Sequence, residues 1–324
     1  MIGKRGGKTV REDSFGLNEW NDPSEGKDLE EDLFEEPIAT GPGAVPSSLW
    51  RDAAQRFVRN KTALAALIML LVMMMCAIFA GMLTPYGPFE TDLTQAKKGP
   101  NAAHILGSDE NGRDILTRIL YGARISMSVG FISVMISTLT GSVIGLISAY
   151  FGRWADIIVS RVMEMIAAFP SILLAIIFMS IFGRGIENAV IAISIVSIPG
   201  SARLIRSVAL TVKANDYITS ARAAGCGSAR IMLRHMLPNI LAPIIVNATM
   251  SVSGAILSLA SLGFLGLGVQ PPTAEWGYML SSGRNYIFSA SHIIMFPGVA
   301  IALTVLSFNL LGDGLRDALD PRLK

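Results

Sequence analysis

The sequence predicts an all-α, polytopic membrane protein with about six transmembrane helices. Of its 324 residues, 51% are hydrophobic and only 16% are charged, whereas a soluble domain usually has about 25% charged residues. The mean hydropathy of +0.50 agrees with a chain that has lipid as its solvent. Several apolar runs also reach the roughly 20 residues that a helix needs to cross a hydrocarbon core about 30 Å thick.

Residues 1–48 differ in composition from everything that follows. The stretch from Glu12 to Glu36 contains eleven acidic residues and one basic residue, Lys27, and residues 39–46 are rich in Gly and Pro. Such a segment has too little apolar surface to fold, and it is predicted to be a disordered acidic cytoplasmic tail and linker. A docking segment for a partner is the alternative. Residues 1–48 contain no apolar region of the kind found in a signal peptide.

Six apolar runs within residues 49–324 are predicted to cross the membrane. Prolines inside four of them are compatible with this, because neighbouring membrane helices can satisfy the freed carbonyl groups. Before the second run, Asp114–Arg124 has its apolar side chains on one face and is expected to lie in the membrane interface. The predicted spans are 63–83, 127–150, 162–182, 188–208, 239–262 and 292–311.

The distribution of Lys and Arg predicts the orientation of the spans. Fifteen of these residues fall on the side of the N-terminus and seven on the other side, leaving out residues 1–48. Because cytoplasmic loops have the excess of positive charge, both termini are predicted to be cytoplasmic. The polar segment 209–237 then lies inside the cell, and the segments 84–126 and 263–291 lie outside.

Charged and metal-ligating side chains are rare in the predicted spans. Glu164 is the one acidic residue clearly inside or at the edge of a span. It is expected either to form an ion pair with Arg161 or Arg203, or to act in gating. The two cysteines are far apart, so no disulfide framework is implied. The three histidines are scattered, and no metal site is predicted.

The segment between the fourth and fifth spans has the sharpest local pattern. Asp216 favours the N-terminus of a short helix that ends near Ala224, and Gly225 and Gly227 break that helix. A second short helix is expected at Ser228–Met236, before the fifth span begins. This helix–glycine–helix pattern is compatible with an ordinary loop on the membrane surface, or with an element that docks a partner protein.

The same segment resembles the Glu-Ala-Ala motif of permease subunits of ABC importers. That motif reads Glu-Ala-Ala, three residues, Gly, nine residues, Ile, one residue and Leu-Pro. The positions that match it are Ala221, Gly225, Leu237 and Pro238. The positions that depart from it are Thr219, Ser220 and His235. The Arg234-His235 pair before Leu-Pro is typical of the dipeptide, oligopeptide and nickel branch of the binding-protein-dependent transport family.

Other segments resemble the same branch. The resemblance covers about residues 50–324 and leaves the acidic tail outside. The segments are Arg59-Asn60-Lys61, 106–126, Phe169-Pro170-Ser171 and Gly312–Arg322.

The resemblance implies that residues 49–324 are a transmembrane permease domain without enzymatic activity. A phosphate-binding loop needs Gly, four residues and Gly-Lys-Ser or Gly-Lys-Thr between a strand and a helix. The stretch Gly3–Thr9 is one residue short and follows no strand, so ATP and Mg are expected on partner subunits and no cofactor on this chain. The implied partners are a second homologous permease subunit, two ATP-binding subunits, an extracytoplasmic solute-binding protein and membrane lipid, with no nucleic acid.

In this family the short helix, here about 214–225, is a coupling helix that sits in a groove on an ATPase subunit and transfers its motion to the spans. The implied coupling residues are Asp216, Tyr217, Thr219, Ala221, Arg222, Gly225, Arg234, Leu237 and Pro238. The expected cargo is dipeptides or oligopeptides, imported across a bacterial or archaeal inner membrane. Nickel complexes or other small solutes are the alternative. A secondary transporter would need intramembrane charge relays or inverted repeats, and a membrane enzyme would need clustered catalytic groups; the sequence shows neither.

Overall fold

The computed structural model describes residues 49–319. The tail and linker predicted for 1–48 lie outside the described residues, as do the last residues of the segment 312–322. Within 49–319 the backbone forms helices joined by turns, and one isolated antiparallel bridge links Ser108 to Asp114. In this part of the chain, five helices are long and apolar enough to cross a membrane, and a bent pair of shorter helices provides up to one more span. The predicted all-α membrane fold with about six spans is confirmed.

The helices are numbered here in chain order, and the loop at 214–236 between the fourth and fifth spans is called the coupling loop. The helices before this loop are α1 (Leu49–Arg59), α2 (Lys61–Ile78), α3 (Ala80–Leu83), α4 (Ile115–Phe151), α5 (Arg153–Ala167), α6 (Ser171–Phe182) and α7 (Ile186–Lys213). The helices that form or follow the loop are α8 (Asp216–Ala223), α9 (Ser228–Arg230), α10 (Leu237–Phe264), α11 (Trp276–Gly283) and α12 (His292–Leu319).

Helices α4 and α7 run in the same direction, and this fixes the number of spans. Near one end the hydroxyl of Ser133 donates to the carbonyl oxygen of Val190 at 3.4 Å. Near the other end Nζ of Lys213 donates to the carbonyl oxygen of Ala149 at 2.9 Å. Because residue numbers rise together along both helices, the chain between them must return across the bilayer. Only α5 and α6 can make that return, so we count the bent pair as one span, and residues 49–319 then contain six.

Six alternating spans define two sides of the molecule. The coupling-loop side holds the coupling loop, α1 and the C-terminal ends of α4 and α12. The opposite side holds residues 84–114 and 265–291, which include α11 and several short turns. Both sides therefore present polar segments that are long enough to contact other proteins.

The second span begins well before its predicted start at residue 127. One carboxylate oxygen of Asp114 accepts hydrogen bonds from the backbone N–H and the hydroxyl of Thr117, both at 2.7 Å, and so caps α4. From there α4 continues for 37 residues, or about 55 Å at 1.5 Å per residue. Thr117 and Arg118 are buried in protein. Asp114–Arg124, expected in the membrane interface, therefore form the first turns of the helix that continues as the second span, and their interfacial location stays a prediction.

The third span, predicted as a single run over 162–182, is broken. Its two helices, α5 and α6, meet at an angle of 88°. Pro170 has no N–H to donate, and its ring disfavours a helical conformation at Phe169, so the helix cannot continue straight through this pair. Helix α5 also begins earlier than predicted, at Arg153. Asp156 is consequently part of the third span rather than of a connecting loop.

Small residues let α4 and α7 approach each other closely. A Cβ atom at Gly145 would lie 2.6 Å from the carbonyl oxygen of Ala202, and one at Gly141 would lie 2.7 Å from Cβ of Ser201. Lipid tails are as apolar as the side chains, so there is no hydrophobic driving force between membrane helices. Their association depends instead on close packing, which small residues allow. The pair therefore forms a tightly packed unit that connects the two sides of the molecule.

The second arm of the coupling loop is continuous with the fifth span. The chain becomes helical at Ser228, makes wider π-type turns over Ile231–Met236 and continues as α10 to Phe264. Pro238 lies in the first turn of α10, where its ring would clash with a carbonyl group in the preceding turn of a regular helix. Wider turns relieve that clash. The separate second helix expected at Ser228–Met236 is therefore wrong, because no break precedes Pro238.

Candidate functional site

The first arm of the coupling loop is a short helix, α8, which occupies Asp216–Ala223. Asn215 precedes it in an extended conformation, with φ of −75° and ψ of 145°. Its side-chain amide donates to the carbonyl oxygen of Val212 at 3.0 Å and so closes the end of α7. Asp216 places a negative charge in the first turn of α8, where the helix dipole favours it. The short helix therefore starts almost directly at the end of the fourth span.

Gly225 ends α8 in a left-handed conformation, with φ of +81°. Its N–H donates to the carbonyl oxygen of Arg222 at 3.0 Å, and the N–H of Cys226 donates to that of Ala221 at 3.1 Å. These two bonds form a Schellman motif, which satisfies the last carbonyl groups of a helix and favours Gly at the left-handed position. Cys226 and Ala221 both pack on the apolar residues beneath the loop.

Ile218 anchors α8 to the membrane domain. Its side chain is 1% exposed, and it belongs to a small apolar cluster, called the loop core, at the coupling-loop ends of α4, α7 and α10. The loop core is separate from the main core of the spans. Because close-packed side chains transmit displacement, α8 is mechanically joined to three span ends. The buried residues of the loop core are Leu146, Ala149, Ile205, Ala209, Val212, Ile218, Ile231, Met236 and Ile240.

The other face of α8 is exposed. It presents Asp216, Tyr217 and Thr219, and Tyr217 is 43% exposed. Arg222 is exposed as well, but it lies one turn after Ile218 and therefore on the side of α8 that faces the membrane domain. The guanidinium of Arg222 also lies 5.7 Å from the ring centre of Tyr150, at the end of α4. Tyr and Arg are enriched at protein–protein interfaces.

The remaining predicted coupling residues occupy different places in the loop. Ala221 and Leu237 are half-buried and pack on the loop core, and Gly225 forms the turn. Arg234 is exposed on the second arm, and Pro238 lies in the first turn of α10. The predicted residues thus belong to one structural element with a buried face and an exposed face, and they do not form a single surface.

Sequence interpretation misses a polar cluster at the coupling-loop ends of α4, α5 and α7. The carboxylate of Asp156 accepts hydrogen bonds from Nη2 of Arg206 at 2.6 Å, from Nε of the same guanidinium, and from the hydroxyl of Ser148 at 2.6 Å. Nζ of Lys213 donates to the carbonyl oxygens of Ala149 and Tyr150 in the last turn of α4, at 2.9 and 2.8 Å. The available signal was an acidic residue a few positions after the second span, facing the basic end of the fourth.

The candidate gating residues are only partly brought together. Nη1 of Arg161 lies 2.8 Å from Oε2 of Glu164, one turn further along α5, and both side chains are exposed in the single chain. Arg203 takes no part in this pair, because its Nε donates to the carbonyl oxygen of Pro199 within α7, at 3.3 Å. The geometry therefore contains the ion pair with Arg161 and not the one with Arg203.

On the opposite side, Arg118 joins three segments of the chain. It is 1% exposed, and its Nη1 donates to the carbonyl oxygens of Pro88 at 3.0 Å and Pro272 at 3.3 Å. Its Nε lies 3.4 Å from a carboxylate oxygen of Asp109. A buried charge is stable only with such partners. Arg118 therefore holds residues 84–114 and the loop before α11 against the start of α4.

Glu275 fixes α11 in the same region. Its carboxylate accepts hydrogen bonds from the backbone N–H groups of Gly277 at 2.7 Å and Tyr278 at 2.8 Å, and from the hydroxyl of Ser126 at 3.3 Å. Burial raises the pKa of the Glu275 carboxyl, and these hydrogen bonds oppose the shift. Among the residues that the structure describes, no group of three His, Cys, Asp or Glu side chains could hold a metal ion.

Two parts of the sequence match known protein families. Residues 141–324 match the family described as binding-protein-dependent transport system inner membrane component. Residues 48–101 match a second family, described as the N-terminal TM domain of oligopeptide transport permease C. The first match includes the whole coupling loop and the buried residues of the loop core.

Similar proteins have related descriptions. A dipeptide transport system permease protein DppC of Alkalihalophilus pseudofirmus is 48% identical over 277 residues, which are 86% of this chain and 91% of the relative. A glutathione transport system permease protein GsiD of Pectobacterium atrosepticum is 46% identical over 276 residues, 85% of this chain and 92% of the relative. A solved inward-facing structure of the MetNI methionine ABC transporter has a TM-score of 0.52 at 18% identity, covering 62% of this chain and 96% of that one. This last likeness concerns the fold alone.

Proposed function

Because the chain belongs to the family of binding-protein-dependent transport system inner membrane components, the membrane permeases of ATP-driven importers, we propose that it imports dipeptides or other short peptides. The observation that supports this function best is the structure of the coupling loop. One face of α8 packs against the ends of three spans, and its other face is exposed. That arrangement suits a helix that receives motion from outside the chain and passes it to the spans.

The exposed face of α8 is the proposed contact with an ATP-binding subunit. ATP and Mg bind to two such subunits, and this chain has no enzymatic activity of its own. Asp216 and Tyr217 lie on that face, and the exposed guanidinium of Arg222 borders it near the other end of the helix. Docking there places the coupling-loop side in the cytoplasm, and with it both termini, in agreement with the distribution of Lys and Arg.

The opposite side is the proposed docking surface for an extracytoplasmic solute-binding protein. Leu93 is 75% exposed, Ile105 is 66% exposed and Phe288 is fully exposed, and all three lie outside the span helices. Large apolar side chains that face water commonly mark protein contacts. A second homologous permease subunit completes the pathway, and the assembly spans the inner membrane of a bacterium or archaeon.

The cargo is inferred from relatives whose names refer to dipeptides and glutathione, which share a peptide backbone with free termini. Nickel complexes and other small solutes remain the alternative cargo. A pathway for polar cargo needs polar side chains on an exposed span face, and α10 has one. At alternating steps of four and three residues it presents Asn247, Ser251, Gly254, Ser258 and Ser261, all half-buried or exposed.

Thiol labelling tests whether this face of α10 lines the pathway. Ser258 is exposed, and its hydroxyl donates only to the carbonyl oxygen of Gly254 within the same helix, at 2.8 Å. We expect Ser258→Cys to react with a membrane-impermeant thiol reagent about tenfold faster than Leu257→Cys, because a thiol reacts as the thiolate, which forms in water and not in lipid. Leu257 is the matched control, since it is the adjacent residue and 53% exposed. Cys76 and Cys226 are first replaced by Ser. Equal labelling of the two positions would contradict the assignment.

Purification in mild detergent tests the proposed function. We expect the wild-type chain to retain an ATP-binding pair and a second permease, and the reconstituted complex to hydrolyse ATP faster with a peptide-loaded binding protein. We expect Asp216→Arg to lower ATPase retention about tenfold, because like charges across an interface are unfavourable. The control is Asp317→Arg, which reverses an exposed acid at the end of α12 on the same side. A wild-type chain that retains no ATP-binding subunit under any lipid condition would overturn the proposal.

A further inference from the structure

We infer that Asp156 is a positioning residue through which motion of the coupling loop reaches the second and third spans. The inference rests on the proposed function, since an ATP-binding subunit must move α8. It comes from a set of polar side chains at the adjoining ends of α4, α5, α7 and α8, called the inner joint. The inner joint consists of Ser148, Asp156, Arg206, Lys213 and Arg222.

Asp156 is the centre of this joint, because it is the member that contacts two other helices. Nε and Nη2 of Arg206, in α7, donate to the two carboxylate oxygens of Asp156. The hydroxyl of Ser148, in α4, donates to the same carboxylate at 2.6 Å. A guanidinium that binds both oxygens of a carboxylate fixes direction as well as distance. The pair therefore sets the orientation of α5 relative to α4 and α7.

Within the single chain, helix α5 makes few other buried contacts. Met163 is the only buried residue among the fifteen of α5. Trp154, Ile158 and Met165 are 74%, 60% and 62% exposed. With so few buried contacts, packing against the rest of the chain fixes the orientation of α5 only weakly. Removal of the Asp156 carboxylate should therefore loosen α5 without exposing a core.

The rest of the inner joint connects this pair to the coupling loop. Lys213 is the last residue of α7, immediately before the loop, and its Nζ donates to the carbonyl oxygens of Ala149 and Tyr150 in the last turn of α4, at 2.9 and 2.8 Å. Arg222 of α8 lies over the ring of Tyr150, also at the end of α4. A displacement of α8 thus acts on α4 through these contacts, on α7 through the backbone, and on α5 through Asp156.

Helix α5 is one arm of the 88° bend in the third span. The bend occurs at Phe169-Pro170, where the helix is interrupted. A movement of α5 at its Asp156 end therefore changes the angle to α6, which runs toward the opposite side. The loop core contains no residue of the third span. The inner joint therefore provides the connection between the coupling loop and that span.

A charge exchange tests the inference. The complete importer is reconstituted in proteoliposomes, and ATP hydrolysis and peptide uptake are measured on the same vesicles. We expect Asp156→Asn to raise the ATP consumed per peptide about fivefold, the lower range of a typical coupling effect. The double variant Asp156→Arg with Arg206→Asp restores an ion pair and should bring the ratio to within about twofold of wild type. Asp317→Asn, an exposed acid on the same side, is the matched control.

The outcomes separate the inference from the proposed function. All variants are compared as complexes that retain their ATP-binding pair, so a failure to fold or assemble is removed before the ratio is measured. An unchanged ratio in Asp156→Asn overturns the inference and leaves the importer intact. A raised ratio that the charge exchange does not lower also overturns it, because a merely structural loss would not respond to the restored pair. If the wild-type chain retains no ATPase, both the inference and the proposed function fail.

Discussion

We expect Gly225→Val to reduce peptide transport about tenfold while the chain still inserts and folds. Gly225 adopts φ of +81°, and left-handed backbone costs an L-residue about 1–2 kcal/mol, more when the side chain is β-branched. A difference of about 1.4 kcal/mol is tenfold in an equilibrium constant. The strain acts on the Schellman turn alone, so α8 leaves its position on the loop core while the spans remain packed. Uptake in proteoliposomes, together with the melting temperature of the complex, measures the two effects.

Two further variants make this prediction specific to backbone conformation. A Cβ atom at Gly225 would meet nothing within 4 Å, and the same holds at Gly227, which has an ordinary φ of −65°. Gly227→Val therefore adds the same side chain to the same loop without strain, and we expect nearly normal uptake. Gly225→Asn should retain most activity, because Asn tolerates the left-handed region. Equal losses in both valine variants would show that bulk at the ATPase contact, and not the turn, is responsible.

The coupling loop could be predicted from the sequence because its determinants are local. An acid in the first turn and a glycine at the end define α8 within a few residues of each other, and the structure places the helix at Asp216–Ala223. The number of spans could likewise be predicted from the lengths of the apolar runs. The bend at Phe169-Pro170 also has a local cause, but its angle depends on how α5 and α6 pack against α4 and α7.

The start of the second span could not be predicted, because its charged residues have distant partners. A hydropathy profile predicts a later start of the span, because Arg118 and Arg124 are charged. In the structure Nη1 of Arg118 binds the carbonyl oxygen of Pro272, 154 residues away. The guanidinium of Arg124 binds the last carbonyl oxygens of α2, at 2.5 and 2.9 Å. Local hydropathy cannot represent a charge that another segment satisfies.

The same limit explains why the inner joint was missed. Asp156 is eight residues from Ser148 and 50 residues from Arg206. Neither separation corresponds to a motif, and the contact exists only because α4 and α7 run parallel and α5 folds back beside them. A basic residue at the end of the fourth span was visible in the sequence, but its partner depended on the topology.

We expect Ile218→Ala to have the second large effect. This effect should differ from that of removing the exposed ring of Tyr217, the adjacent residue. Truncation of a buried Ile costs about 2–5 kcal/mol when the cavity does not collapse, and Ile218 is 1% exposed in the loop core. Because the loop core is separate from the main core, α8 should detach while the spans keep their stability. Limited proteolysis should then cleave near 216–225 at least about tenfold faster, with a comparable fall in transport per ATP.

Tyr217→Ala is the comparison that separates anchoring from docking. Tyr217 is 43% exposed on the outward side of α8, so its removal should lower ATPase retention and leave the proteolysis rate of the isolated chain unchanged. Ile218→Val, which removes one methyl group, should cost only about 0.5–1.5 kcal/mol and fall between wild type and Ile218→Ala in both assays. If Ile218→Ala is cleaved at the wild-type rate, α8 is held by its backbone and its turn alone. Motion would then have to pass from the loop to the spans without the loop core.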